Sequence, residues 1–303
     1  MNIPSAQVGP QLIRGFAMGA ADIVPGVSGG TVALVLGIYD RLIDNVRLGA
    51  RCLKQLITGD ISSFKQTLGE IEWVWLFSLL AGILVAVFAL SSILDRLLAD
   101  EPVKMSALFL GLVVGTIFIA YRMLDRVDGP AAAIIIGVGI AVFLLLGLKS
   151  DTVVAEDAEK IVTQPIWVFF VVGAIAICAM ILPGVSGSFL LVMMGMYTEV
   201  IGAAKDRDLP TLAVFGAGAV IGLALFSTLL NWLLDNYRNW VIAAMIGLML
   251  GSTRVLWPWP NGTNTTTLSA PADDVAVPIL LALAGVVVVV VVEMFGSRLN
   301  RSD

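Results

Sequence analysis

Long apolar segments alternate with short polar segments along most of the chain. Six of the apolar segments are continuous and close to the ~20 residues that cross a bilayer as a helix. They predict transmembrane helices at residues 73–97, 105–121, 131–148, 212–234, 240–256 and 275–293. Two further apolar segments, 12–39 and 166–197, are each interrupted near the middle by a Pro-Gly pair. The pattern therefore predicts an all-α, polytopic membrane protein.

The two interrupted segments carry the same motif, Pro-Gly-Val-Ser-Gly, at residues 25–29 and 183–187. Proline removes a backbone donor and glycine permits a sharp turn, so an α-helix should end at each motif. An arm of about 13 residues reaches about 20 Å, which is shorter than the ~30 Å hydrocarbon core. We therefore interpret both segments as re-entrant helical hairpins; a single kinked and tilted span is the alternative.

The chain also repeats itself. Shifting residues 23–43 by 158 positions aligns them with residues 181–201, and nine of the 21 aligned positions are identical. A shift of 136 aligns the next two spans of each copy, for example Gly82 with Gly218. With hairpins, each copy makes three full crossings and the second copy is inverted, whereas kinked spans would make the copies parallel. We favour two inverted repeats, each a hairpin plus three transmembrane helices.

The charge distribution supports this arrangement by a small margin. With the N-terminus inside, hairpins place 11 of the 18 Lys and Arg residues on the cytoplasmic side, against 10 for kinked spans. The first repeat is then residues 1–148 and the second is 166–303, with an acidic external loop at 149–165. Both termini are expected in the cytoplasm, and the basic segment 40–72 is predicted to be a polar cytoplasmic loop.

Composition excludes several classes of function. The chain is 58% hydrophobic and only 14% charged, whereas soluble domains carry about a quarter charged residues. It contains no histidine and two cysteines, Cys52 and Cys178, so histidine-based catalysis, a disulfide framework and a zinc site are not expected. We therefore predict no enzyme activity, no cofactor, no metal and no nucleic-acid partner.

The interrupting motif carries the candidate chemistry. Ser28 suits the N-cap of a second arm that begins at Gly29, and the first amides of that arm would point into the turn. A helix N-terminus attracts anions through its amides and its positive dipole end. The alternative is that the small residues serve only close helix packing. The predicted anion-binding residues are Pro25, Gly26, Ser28, Gly29, Gly30, Thr31, Pro183, Gly184, Ser186, Gly187 and Ser188.

Two charged residues precede the first motif. Arg14, in the first arm, is a candidate contact for an anion, and its alternative is a snorkelling side chain at the membrane surface. Asp22 lies inside an apolar arm, where an ionised carboxylate is costly, and its counterpart in the second copy is Met180. A proton- or cation-coupling role is the hypothesis for Asp22, and local pairing with Arg14 is the alternative.

The doubled motif, GAADIVPGVSGGT followed by PGVSGSFLLVMMGMY, resembles the polyprenyl-phosphate transporter family of the PopT type. The resemblance covers nearly the whole chain. It implies a flippase in the cytoplasmic membrane that moves undecaprenyl phosphate, or a similar polyprenyl phosphate, and recycles this carrier lipid for cell-wall assembly. It also implies that Asp22 and the motif residues named above form the functional region. The residues alone leave two alternatives, a transporter of a small soluble anion and a membrane lipid-phosphate enzyme.

Overall fold

A computed structural model describes residues 8–23, 28–147, 164–183, 187, 190–191, 194–272 and 275–300. Within these ranges the secondary structure is helical and contains no strand. Predicted features that lie outside the described residues are the loop 149–165 except its last two positions, Pro25, Gly26, Gly184, Ser186 and Ser188.

The described helices follow the apolar pattern of the chain. The first half contains α1 (Val8–Asp22), α2 (Gly29–Val35), α3 (Tyr39–Ile57), α4 (Ile61–Glu70), α5 (Trp73–Asp100), α6 (Pro102–Arg122) and α7 (Gly129–Gly147). The second half contains α8 (Ile166–Ile181), α9 (Tyr197–Lys205), α10 (Leu209–Ser252) and α11 (Ala276–Asn300). Among these, five are long and apolar enough to cross a membrane, namely α5, α6, α7, α10 and α11. The protein is therefore a multi-pass membrane protein.

The segment predicted as the polar loop 40–72 is helical, so that prediction was wrong. Its apolar residues are spaced for one helix face, and α3 buries Ile43 and Cys52 while charged residues such as Arg47 and Arg51 lie at other positions. The side chain of Asp60 caps α4 by accepting a hydrogen bond from the Ser63 amide at 3.1 Å. Asn45 of α3 accepts a hydrogen bond from the Glu72 amide at 2.9 Å, which fixes α3 against the start of α5.

The predicted spans 212–234 and 240–256 fall on the two parts of α10, one on each side of a kink. The backbone departs from helical geometry at Tyr237 (φ −136°, ψ 35°), and the second part ends at Ser252. The sequence contains no proline or glycine between Gly222 and Gly247, so no strong helix breaker separates the two parts. A single non-helical residue makes the kink instead of a loop.

Equivalent positions of the two copies have the same backbone conformation. Gly37 and Gly195, which are 158 residues apart, both have a φ of 67°, a conformation that glycine adopts without strain. Each stands two residues before the next helix, α3 or α9. Glu101, between α5 and α6, has φ −136° and ψ 54°, and Tyr237, 136 residues later, has φ −136° and ψ 35°.

Glycines allow α1 to lie directly against α5. A Cβ added to Gly15 would collide with the carbonyl oxygen of Leu79, and one added to Gly82 would collide with that of Leu12. Such small residues bring helix backbones together in membrane proteins. Any larger side chain at these positions would force the two helices apart.

The same close approach recurs between α8 and the first part of α10. A Cβ on Gly173 would collide with the Phe215 carbonyl, and a Cβ on Gly218 would collide with the Phe170 carbonyl. These are the same contacts at equivalent positions of the repeat. Positions 173 and 170 lie 158 residues after positions 15 and 12, and positions 215 and 218 lie 136 residues after positions 79 and 82. The sequence repeat thus reappears as one helix contact made twice.

The remaining long helices pack across the two halves. In α6, a Cβ on Gly115 would lie 3.0 Å from the Cβ of Val289 in α11. In the later part of α10, a Cβ on Gly251 would lie 2.9 Å from the Gly139 carbonyl oxygen in α7. Helices of one half therefore pack against helices of the other. The main apolar core lies between α2, α3, α6 and the later part of α10 and includes Leu34, Ile43, Val113, Ile242 and Met245.

Candidate functional site

The first motif places its described residues at the start of α2. This helix begins at Gly29, as the sequence predicts, and Ser28 has the extended backbone of an N-cap (φ −133°, ψ 145°). The Ser28 hydroxyl makes no cap to α2, however. The cap comes from Asp22, whose Oδ1 accepts a hydrogen bond from the Gly29 amide at 2.5 Å. A carboxylate is a stronger acceptor than a hydroxyl, so Asp22 takes the position predicted for Ser28.

This arrangement alters the anion site predicted from the motif. The amide of Gly29 donates to an anionic group, but in this structure that group is a carboxylate of the chain itself. A Cβ on Gly29 would lie only 2.6 Å from Asp22 Oδ2, so glycine is needed for the carboxylate to approach. The neighbouring Gly30 and Thr31 are buried. A ligand anion could reach the Gly29 amide only by displacing Asp22.

Arg14 lies inside the protein, away from the lipid-facing surface. Its side chain is only 2% exposed, and its Nη1 donates a hydrogen bond to Oε1 of the buried Gln11 at 3.2 Å. Both residues are on α1, one turn apart. A snorkelling arginine would be exposed at the end of the helix, so the structure does not favour that alternative.

The two interrupted segments meet at the carboxyl end of α8. The Ser28 hydroxyl donates to the Leu182 carbonyl oxygen at 3.4 Å, and the Tyr39 hydroxyl donates to the Ile181 carbonyl oxygen at 3.2 Å. A Cβ on Gly30 would lie 2.6 Å from the same Ile181 oxygen. The last carbonyl groups of a helix have no hydrogen-bond donor within the helix. Here two hydroxyl groups from the first half of the chain donate to them.

The second motif contributes two described residues to this region. Pro183 is buried directly after Leu182, and Gly187 is buried beside the side chain of Met180. Sequence reasoning did not select Tyr39, Ile181 or Leu182 as site residues. Tyr39 could have been noticed, because it is one of the identical pairs of the repeat, but backbone carbonyls carry no signal in the sequence.

A cavity of about 400 Å³ opens next to this contact, within the usual range for ligand sites. The first half contributes Asp22 and Ser28, which bring a carboxylate and a hydroxyl to its lining. The second half contributes mostly apolar and aromatic side chains, for example Ile177, Phe215 and Tyr197. Two polar groups beside an apolar wall suit a ligand that has a polar head and a hydrocarbon chain.

The described residues contain no group of three or more His, Cys, Asp or Glu side chains that could hold a metal ion. The charged pairs of the described chain lie away from the cavity. The most extensive joins Arg41 to Glu72, with Arg41 Nε 3.0 Å from Glu72 Oε1. These hydrogen bonds lower the pKa of Glu72 from its usual value.

Comparison with known proteins agrees with the geometry. A family model described as "VCA0040-like: Undecaprenyl phosphate translocase-like" matches residues 18–273. A protein named polyprenyl-phosphate transporter from Vibrio cholerae serotype O1 is 37% identical over 254 residues, which are 82% of this chain and 77% of that protein. One of the same name from Staphylococcus aureus is 29% identical over 257 residues, 82% of this chain and 85% of that protein. No solved structure matches the chain. The chain therefore belongs to the undecaprenyl phosphate translocase-like family.

Proposed function

We propose that the protein is a flippase that moves undecaprenyl phosphate, or a similar polyprenyl phosphate, across the cytoplasmic membrane and so recycles this carrier lipid. The observation that carries the proposal is the cavity lined by Asp22 and Ser28 together with mostly apolar side chains. Both relatives named above are polyprenyl-phosphate transporters by name, which supports the same substrate class.

The cavity matches the two needs of such a lipid. A phosphate inside a membrane must be paired or hydrogen-bonded, because an isolated buried charge is very costly. The Ser28 hydroxyl and the Gly29 amide, which donate to the Leu182 carbonyl and to Asp22 in this structure, would donate to a phosphate that displaces these acceptors. The wall formed by Ile177, Phe215 and its neighbours offers an apolar surface to the first isoprene units. The remaining tail can stay in the lipid and needs no aqueous path.

We propose that Asp22 couples headgroup binding to a proton. The carboxylate and a phosphate would compete for the Gly29 amide, and they repel each other when both are ionised. A proton on Asp22 removes its charge and weakens its hydrogen bond to that amide. Inward movement of one negative charge costs about 2.3 kcal/mol per 100 mV of an inside-negative potential. A proton that moves with the phosphate offsets this cost.

We further propose that the two halves are inverted repeats, with both termini in the cytoplasm and the loop 149–165 outside. The first arm, α1, has 15 residues and α2 has seven. At 1.5 Å per residue, neither crosses a ~30 Å core. Three crossings per half then follow from α5, α6 and α7 and from the two parts of α10 with α11. The repeated glycine contacts and the shared dihedral angles support the structural repeat of the two halves.

Transport is tested with the purified protein in liposomes that contain a labelled polyprenyl phosphate. The headgroup exposed on each face is measured over time with an impermeant reagent. We expect exchange between the leaflets that protein-free liposomes lack, and a drop of about two- to tenfold for Ser28→Ala, the range for one lost hydrogen bond. Ser62→Ala, at an exposed serine of α4, is the control. Equal rates with and without protein would refute the assignment.

The same liposomes separate the alternative functions. A transporter of small soluble anions would be inhibited by excess inorganic phosphate, whereas we expect the lipid exchange to be unaffected. A lipid-phosphate enzyme would release free phosphate, so the supernatant is assayed for phosphate in parallel. Competition in the first assay, or phosphate release in the second, would favour the corresponding alternative.

Coupling is tested with Asp22→Asn. The side-chain oxygen of asparagine still accepts a hydrogen bond from the Gly29 amide, so α2 keeps its cap, but asparagine does not take up a proton in this pH range. We expect the variant to bind the lipid and to lose the acceleration caused by an imposed proton gradient. Asp60→Asn is the matched control, since Asp60 caps α4 in the same way at an exposed site. Unchanged acceleration in Asp22→Asn would rule out this role.

A further inference from the structure

The cavity is lined mainly by residues of the second half of the chain. In the second half, Tyr197 is 41% exposed and Ile201 is 36% exposed, and both line the cavity. Their counterparts in the first half, 158 residues earlier, are Tyr39 and Ile43, which are 2% and 1% exposed. The equivalent tyrosine and isoleucine side chains are therefore exposed in the second half and buried in the first half.

Another residue of the cavity wall has the same asymmetry. Phe215 lines the cavity and is half-buried, while its counterpart Leu79, 136 residues earlier, is fully buried. The first-half positions that correspond to Tyr197, Ile201 and Phe215 are thus closed.

One hydrogen bond distinguishes the closed side from the open side. The Tyr39 hydroxyl donates to the Ile181 carbonyl oxygen and holds the first half against the end of α8. In the repeat, the counterpart of Tyr39 is Tyr197, 158 residues later, and the counterpart of Ile181 is Ile23, 158 residues earlier. The equivalent hydrogen bond would therefore join the Tyr197 hydroxyl to the Ile23 carbonyl oxygen. In the structure, Tyr197 faces the cavity instead.

We propose that the first half contains a second cavity for the phosphate headgroup, which opens when the Tyr39–Ile181 hydrogen bond breaks and Tyr197 binds the Ile23 carbonyl. The proposal rests on the repeat described under the proposed function. The two states are built from equivalent contacts with exchanged partners, which gives them similar free energies. Asp22 and Ser28 lie where the two segments meet, so the headgroup can pass from one cavity to the other.

Cysteine labelling tests this without any substrate. The native Cys52 and Cys178 are replaced by alanine, and a single reporter, Ile43→Cys or Ile201→Cys, is introduced. The protein is placed in liposomes free of polyprenyl phosphate and reacted with a membrane-permeant maleimide. We expect the cysteine at position 201 to react quickly and that at position 43 slowly, since the latter is exposed only in the alternate state.

The two tyrosines should then act in opposite directions on the reporter at position 43. Tyr39→Phe removes a hydrogen bond of the observed state and should raise the labelling rate about fivefold, the factor for one net hydrogen bond. Tyr197→Phe removes the corresponding bond of the alternate state and should lower the rate about fivefold. The double variant should return close to the starting rate, and Tyr121→Phe, at an exposed tyrosine of α6, should change nothing.

Two results would overturn the proposal. One is an unchanged labelling rate at position 43 in Tyr197→Phe, and the other is a double variant that labels as fast as Tyr39→Phe alone. A merely structural role of Tyr39 would loosen its surroundings in both the single and the double variant. Because the liposomes contain no polyprenyl phosphate, either result is independent of whether the protein transports that lipid.

Discussion

The contact between the two motifs makes a sharp prediction about Gly30. A Cβ at this position would lie 2.6 Å from the Ile181 carbonyl oxygen, which is closer than real Cβ atoms approach. To reach an ordinary contact, the start of α2 and the end of α8 must separate by about 0.8 Å. A shift of this size is enough to break the 3.2 Å hydrogen bond from Tyr39 to Ile181. Gly30→Ala should therefore weaken the contact between the two halves.

The expected magnitude has three parts. Overpacking costs about 1–3 kcal/mol, and one lost hydrogen bond costs about 1 kcal/mol. The higher helix propensity of alanine returns about 1 kcal/mol within α2. The free energy of unfolding should thus fall by about 1–3 kcal/mol. At about 2 °C per kcal/mol for a chain of this size, the Tm should fall by about 2–6 °C.

The assay is thermal unfolding in detergent, followed by tryptophan fluorescence, with Gly49→Ala as the control. Gly49 lies in α3, and a Cβ there would meet nothing within 4 Å, so only the gain in helix propensity remains. Its Tm should stay the same or rise slightly. If Gly30→Ala unfolds at the same temperature as Gly49→Ala, the two motifs are not in contact as described, and the reasoning fails.

Two further predictions concern stability. Gly82→Ala and Gly218→Ala should each lower the Tm by several degrees and by similar amounts, because each added Cβ would collide with a carbonyl of the facing helix. The control Gly137→Ala should not lower the Tm, since a Cβ there meets open space. Unequal losses at positions 82 and 218 would contradict the structural repeat. The hydrogen bonds from Arg41 lower the pKa of Glu72 below its ordinary value of 4.5. The pair therefore stabilises the folded protein fully above pH 4.5, and this stabilisation is lost as the pH falls through the lower pKa that Glu72 has in the folded protein. The Tm of Glu72→Gln should therefore stay below that of the wild type at pH 6 and approach it only as the pH is lowered below 4.5; a difference that does not change with pH would show that the pair does not contribute.

Several parts of the fold follow from the sequence because their causes are local. A continuous apolar run of sufficient length must satisfy its backbone hydrogen bonds internally, and this makes α5, α6, α7 and α11 predictable. A proline followed by glycine ends a helix, so the start of α2 at Gly29 was predicted correctly. The amphipathic helices α3 and α4 were not predicted, because their many charged residues are typical of a loop. The spacing of their apolar residues on one helix face is the signal that indicates helices.

The candidate site shows where local reasoning ends. Asp22 was selected from its position in an apolar arm, but that it caps Gly29 depends on how α1 and α2 are placed relative to each other. The repeat makes Tyr39 and Tyr197 equivalent in the sequence, yet one is buried and the other lines a cavity. By itself, the sequence determined the long helices, their interruptions and the doubled motif, since these depend on neighbouring residues. Only the tertiary structure decided which tyrosine is hydrogen-bonded and where the cavity lies, because those outcomes depend on packing between residues more than 100 positions apart.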